Sequence, residues 1–305
     1  MVQVENIRPG LDIIKIKNLG TNSAYVIRGS KKKIVVESGF PSELKSLKNG
    51  FNKLGLDPKD IDYFATTHVH LDHCGAAGQL ADMNSELKVF AHEKGVEHLI
   101  NPERLNESAE RAYGTRAFPM IGKLLPVPEH QIIPLKEGDE IDLGNISLKT
   151  FYTPGHAKHH VCFFIEKDGI LFTGDLLGKI HAQILAKQDY PIIVTPPPDY
   201  DQPTILKSIT RMEELDPKLL LFTHMGPAPP KLNQNIFNKV REQHVLFVNE
   251  IRNILKEFGT ELDGKQIIEK LQERILMVKR FPENFNSFRM GCNGIKRYLI
   301  KNGLL

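Results

Sequence analysis

Residues 61–75 read IDYFATTHVHLDHCG, and this stretch decides the fold. A short apolar run of the kind that forms a buried strand ends at Thr67. Four side chains able to bind a metal follow within six residues: His68, His70, Asp72 and His73. After them, residues 75–83 are small and read as a helix. Burying these polar, titratable groups between an apolar strand and an Ala-Gly helix would be strongly unfavourable without a partner. Three more ligand-type residues stand directly after predicted strands: His156 in TPGH (153–156), Asp175 in FTGD (172–175) and His224 in FTH (222–224). A tight turn after a strand puts a side chain at the rim of a sheet, where several strands can converge on one ion. Neutral imidazole and carboxylate suit zinc, iron or manganese. A lone histidine at a strand end is more often an ordinary hydrogen-bonded residue; the cluster as a unit is not.

Working outward, residues 11–37 hold three short apolar runs punctuated by Gly and Asn, the pattern of successive antiparallel strands. Leu44, Leu47, Phe51 and Leu54 recur at a helical period, and residues 88–91 make the next strand. Strand, helix, strand, helix, strand indicates a layered domain of mixed α and β structure. Residues 93–130 break the rhythm and read as a helical insertion. Strands return over 140–143, 146–152, 161–166 and 169–173. Residues 176–203, with Pro196-Pro197-Pro198, read as a long loop. A helix over 203–215 and a strand over 218–223 close the main domain, residues 1–230. Beyond Pro229-Pro230 only helices are expected (231–258, 263–279, 284–302), which makes 231–305 a C-terminal helical extension.

At 305 residues the chain is long for one core, which agrees with a main domain plus an appendage. Its 41% hydrophobic and 25% charged residues exclude a disordered or fibrous chain. Forty basic against 37 acidic residues leave a net charge of +3, so no nucleic-acid or membrane partner is expected. Three widely spaced cysteines, Cys74, Cys162 and Cys292, suggest reduced thiols. No apolar leader or span-length run is present, and a cytoplasmic location is expected.

THVHLDHCG followed by TPGH, FTGD and FTH at these separations resembles the metallo-β-lactamase superfamily over roughly residues 11–230. The branch it resembles is the glyoxalase II-like and thioesterase-like one with C-terminal helices. The resemblance implies an α+β fold, a four-layer αβ/βα sandwich with metals at one edge. It also implies two divalent ions, zinc first, with iron or manganese as alternatives. His68, His70 and His156 would hold one ion, Asp72, His73 and His224 the other, and Asp175 would bridge them. The family's first motif usually carries an Asp where this chain has Glu37-Ser38-Gly39. Glu37 is a candidate to orient a ligand histidine.

Such a pair of ions would activate a bridging hydroxide, with Asp72 as catalytic residue, a ligand that also orients the hydroxide and accepts its proton. Thioesters, lactones, β-lactams and phosphodiesters are all open to that chemistry. The resemblance to the thioesterase-like branch implies a thioester (acyl-CoA or glutathione-type), and the partner is a small-molecule substrate. A lactonase or phosphodiesterase, a persulfide dioxygenase, and a regulatory protein that keeps the metals are the alternatives. A homodimer stays open. Lys179 is a candidate anion contact and His159 a candidate substrate contact, although His159 and His160 also read as surface histidines. Both the insertion and the C-terminal helices are expected to overhang the site. Phe118, Met120, Ile121, Leu124 and Leu125 fit either an acyl pocket or the core, as do Phe281, Phe285, Phe288 and Met290.

Overall fold

The protein is described by a computed structural model over residues 2–16, 22–179, 191–229, 232, 235–275, 278 and 286–305. The chain forms two compact units. The first comprises Met1–Tyr152, His159–Gly174 and Pro217–Ala228; the second comprises Thr153–Lys158, Asp175–Asp216 and Pro229–Leu305.

Both sheets belong to the first unit. Seven strands lie in chain order: β1 (Val2–Arg8), β2 (Leu11–Ile16), β3 (Asn22–Arg28), β4 (Lys33–Val36), β5 (Tyr63–Ala65), β6 (Lys88–His92) and β7 (Ile132–Leu135). The first four pair antiparallel, and β4 through β7 pair parallel. The second sheet contains β8 (Glu140–Asp142), β9 (Ser147–Tyr152), β10 (Val161–Ile165), β11 (Ile170–Gly174), β12 (Leu219–Phe222) and β13 (Gly226–Pro227), in the order β13-β12-β11-β10-β9-β8. Here β8 to β11 are antiparallel, while β11 and β12 run parallel.

One core lies between the sheets and joins Leu11, Ile13, Tyr25 and Ile27 to Phe163, Phe172 and Leu221. Alternate residues of the same strands, Ile14, Ile16, Ala24 and Val26, face a second core. That core is closed by Leu47 and Phe51 of α1 (Leu44–Lys53) and by Leu80 and Ala81 of α3 (Ala77–Met83). Burial on both faces explains why these strands read as continuous apolar runs rather than alternating ones. The short helix α2 (Leu71–Cys74) precedes α3. The insertion forms α4 (Val96–Ile100), α5 (Glu103–Tyr113) and α6 (Phe118–Ile121).

Three strands were not expected: β1, β7 and the two-residue β13. β1 alternates polar and apolar residues and lies at a sheet edge, so its hydrophobic signal is weak. β7 contains Pro134, which an edge strand tolerates because one of its ladder faces needs no donor.

The second unit, as described, is helical: α7 (Gln202–Glu213), α8 (Ile236–Phe258), α9 (Gly264–Arg274) and α10 (Asn286–Lys301). Asp201 caps α7 by accepting from Thr204 N, and Asp263 caps α9 by accepting from Lys265 N and Gln266 N. Helix α8 buries Ile236, Val240, Phe247, Ile251, Ile254 and Leu255, a stripe at helical spacing, and Phe247 meets Phe288 edge-on at 5.3 Å. Phe281 and Phe285 lie outside the described residues, as do residues 180–190 of the expected long loop. Among the described residues no helix is long and apolar enough to cross a membrane.

His92, the last residue of β6, stacks on Tyr152 at 3.9 Å, and its Nδ1 accepts from Lys94 N. Burial, reinforced by the Lys94 charge, pushes its pKa down to about 4. The unfolded value is about 6.5. Its neutral form therefore contributes full stability above about pH 6.5, and that contribution drains away as pH falls toward 4. In urea unfolding between pH 7 and 4.5, wild type should lose on the order of 1–2 kcal/mol more than His92→Phe. Parallel losses in the two proteins would show that His92 does not carry this dependence.

Candidate metal centre

Parallel pairing puts the carboxyl ends of β4 and β5 at one sheet edge, so Glu37 and the run from Thr66 to His73 emerge together. His224 lies two residues past the end of β12 and is bridged to Asn22 at the start of β3. Ser23 N donates to Thr223 O at 2.7 Å, and Tyr25 Oη donates to Phe222 O at 2.5 Å, which stitches the two sheets together at this end.

Asp72, His73 and His224 converge, each with a ligand atom within 4.8 Å of the others. Asp72 Oδ1 lies 3.8 Å from His73 Nε2, and Oδ2 lies 3.5 Å from His224 Nε2. Tetrahedral zinc with bonds near 2.0–2.1 Å spaces its ligand atoms about 3.3–3.4 Å apart, so these separations suit a shared cation. His68 Nε2 and His70 Nδ1 lie 2.9 Å apart. All of these residues are buried except His70, which is half-buried. The donor set, imidazole nitrogens with a carboxylate, fits a divalent ion.

A layer of groups behind these candidate ligands sets their orientation. Glu37 adopts φ +68° and is 1% exposed. Its Oε1 accepts from Thr67 N at 3.2 Å and Thr67 Oγ1 at 2.5 Å, and its Oε2 lies 3.2 Å from His73 Nδ1. The single Thr67 hydroxyl proton goes to Glu37. The 3.1 Å contact from Thr67 Oγ1 to His68 therefore assigns the ring proton to Nδ1 and leaves Nε2 as a lone-pair donor. Ser38 binds His73 O through both its N and its Oγ. Gly75 N donates to Gly39 O. Cys74 is buried with its Sγ against His70 O, and burial pushes its thiol pKa well up, so it packs as a small neutral residue.

Sequence reading missed Thr67, Asn22 and Glu43. Glu43 is fully buried, and its Oε2 accepts from Asn22 Nδ2 at 2.7 Å and Phe40 N at 2.9 Å. It thus ties the turn after β4 to the residue bridged to His224. A Glu beside Pro41 and Ser42 carries no local signal of this role.

His159 and His160 are not at the surface: they are 9% and 0% exposed. His159 Nδ1 accepts from Val69 N at 3.3 Å, and its ring lies 5.9 Å from that of His70 and 6.1 Å from that of His98 in α4. The insertion stands beside the cluster. Ala109, Phe118 and Ile121 pack on Phe40 and on Leu71, which separates His70 from Asp72. Leu124 is in the core, while Met120 and Leu125 are exposed.

The second unit carries His156 and Asp175. His156 Nε2 is 3.6 Å from Asp175 Oδ2, and His156 Nδ1 donates to Val194 O at 2.9 Å. Lys179 Nζ lies 3.9 Å from the same Asp175 oxygen. Asp175 directly follows Gly174, where a Cβ would come within 2.6 Å of both His160 Nε2 and Thr67 Oγ1, so this turn requires glycine.

The family model described as the metallo-beta-lactamase superfamily matches residues 18–224. The metallo-beta-lactamase fold-containing protein of Sulfurisphaera tokodaii is 28% identical over 230 residues, 74% of this chain and 81% of that protein. The crystal structure reported for it superposes with a TM-score of 0.58 over 73% of this chain and 79% of that one. A metallo-beta-lactamase family protein of Thermus thermophilus is 20% identical and superposes with a TM-score of 0.72 over 98% of this chain and 95% of its own. A hydroxyacylglutathione hydrolase of Francisella philomiragia is 47% identical over 55 residues, 16% of this chain and 22% of that enzyme. The two facing sheets, the buried His/Asp cluster at the strand ends and a family match over most of the chain agree: this protein belongs to the metallo-β-lactamase superfamily, a group made up generally of hydrolases.

Proposed function

We propose that this chain is a dinuclear metal-dependent hydrolase acting on a thioester of the acyl-CoA or glutathione type. The observation that carries the metal reading is the buried convergence of Asp72, His73 and His224. His68, His70 and His156 complete the proposed set, with Asp175 as the shared carboxylate and zinc as the preferred metal. Support for the thioester is the local likeness to hydroxyacylglutathione hydrolase. Divalent ions held there supply Lewis acidity and make water acidic enough to be a nucleophile near neutral pH.

The remaining work falls to the protein's own groups. Glu37 and Thr67 hold His68 and His73 in their ligating tautomers. Asp72 offers both carboxylate oxygens to the centre and takes the proton of the attacking water on one of them. Lys179, beside Asp175, is the candidate partner for an anionic part of the substrate. His159 presents an imidazole next to His70 for its polar part, and His98 stands next to His159.

The test joins metal analysis of the reconstituted protein to assays on thioesters, lactones and phosphodiesters. Two ions per chain and a preference for thioesters are expected. One ion in fully reconstituted protein would overturn the dinuclear assignment, and a preference for lactones or phosphodiesters would overturn the substrate class.

A further inference from the structure

Helix α10 contains Gly291 and Gly294, one turn apart in the sequence GCNG. Glycine inside a helix is destabilising by about 1 kcal/mol relative to alanine, so such a pair needs a packing reason. The reason is Thr195. A Cβ on Gly294 would stand 1.8 Å from Thr195 O, and one on Gly291 would stand 2.9 Å from Thr195 Oγ1. Thr195 Oγ1 donates to Gly291 O at 3.0 Å. The residue before Thr195 is Val194, whose carbonyl accepts from His156 Nδ1.

Helix α8 grips the same loop from two further points. Gln243 Nε2 donates to Pro191 O at 2.8 Å, and Tyr200 Oη is hydrogen-bonded to His244 Nδ1 at 3.0 Å. Gln202 Nε2 donates to His244 O at 3.0 Å, while Tyr200 packs edge-on against Tyr298 of α10. Gln243, His244, Tyr200 and Thr195 are all buried. The loop over 191–200 is thus fastened to α8 at both ends and to α10 in its middle, next to the carbonyl that holds His156.

The geometry points to a positioning role for the C-terminal helices: through Thr195 and the Gly291/Gly294 pair, they hold Val194 O where it fixes His156 as the Nδ1–H tautomer, with Nε2 turned toward Asp175 as a metal donor. This rests on reading His156 as a ligand. The extension is then a splint for one of the seven proposed ligands, and its removal would loosen that ligand rather than uncover the substrate. Partners of this kind, bonded to the far nitrogen of a ligand histidine, typically change metal affinity by roughly 10–100-fold when lost.

The test uses the full chain and two readouts. Side-chain ¹⁵N shifts of metal-free protein, with the His156 signal assigned by its loss in His156→Gln, report the tautomer without any metal. Competition of Zn²⁺ against a chelator reports affinity. In Gly294→Val the His156 signal should move to an averaged tautomer and Zn²⁺ affinity at one site should fall roughly 10–100-fold, with the His68 and His73 signals unmoved. Thr195→Val should show a smaller change in the same direction, and Thr195→Ser should restore wild-type behaviour. If Gly294→Val fails to fold, the threonine pair decides. A folded Gly294→Val, or failing that a Thr195→Val, with an unchanged His156 tautomer overturns the splint. A wild type that shows the fixed tautomer but binds no Zn²⁺ leaves the splint standing and overturns the metal reading instead.

Discussion

Asp175→Asn is expected to leave both units folded and to lower thioester hydrolysis near neutral pH by roughly three orders of magnitude, about 4 kcal/mol of barrier. Asp175 is 2% exposed, and its Oδ2 lies 3.6 Å from His156 Nε2 and 3.9 Å from Lys179 Nζ. The proposed role is a carboxylate shared by two cations. A negative charge there offsets their mutual repulsion, and an amide of the same shape supplies none. Metal affinity should fall together with turnover, and both should recover in part at higher pH or with excess metal. If Asp175 were only a turn residue after Gly174, Asn would be nearly silent, since it is a good turn former. Turnover of a short acyl-CoA or acyl-glutathione across pH, with metal content measured on the same sample, separates the two. Unchanged turnover with two retained ions would rule out the shared carboxylate.

His73→Ala should empty one of the two positions and keep the other, with turnover down by at least about two orders of magnitude. His73 is fully buried between Glu37 at 3.2 Å and Asp72 at 3.8 Å. Its removal takes a nitrogen donor from the group formed with Asp72 and His224. It also takes one partner from the buried Glu37 carboxylate, which keeps its two bonds from Thr67. Glu37 Oε2 then keeps its 3.5 Å contact from Thr66 Oγ1, and the metal-free protein should be destabilised by about 1 kcal/mol. Elemental analysis checks the first effect and urea unfolding of chelator-treated protein the second. A mutant that still holds two ions would remove His73 from the ligand set.

Residues 61–75 and the motifs ending in His156, Asp175 and His224 were legible because metal chemistry demands particular residue types at strand ends, and strand ends show as apolar runs that stop. Most elements were legible for a related reason: two-sided burial makes runs such as ILFTG and LLLF continuous, and helical faces such as that of α8 repeat with a clear period. The edge strands β1 and β7 were not, because an edge carries fewer buried side chains and tolerates polar residues and proline.

The sequence by itself therefore determined the superfamily, through the resemblance of its motifs, and the mixed α+β architecture and the candidate ligands, through periodicity and local chemistry. Only the tertiary structure decided how the supporting layer is built. Glu37 reaches Thr67 and His73 from a buried position, and His159 and His160 are interior. Glu43 reaches Asn22, and Gly294 gives way to the backbone of Thr195. Each of these contacts joins residues distant in the chain or depends on a particular side-chain direction. Their energy comes from hydrogen bonds and close packing between segments, which leave no periodic or compositional trace in either segment alone.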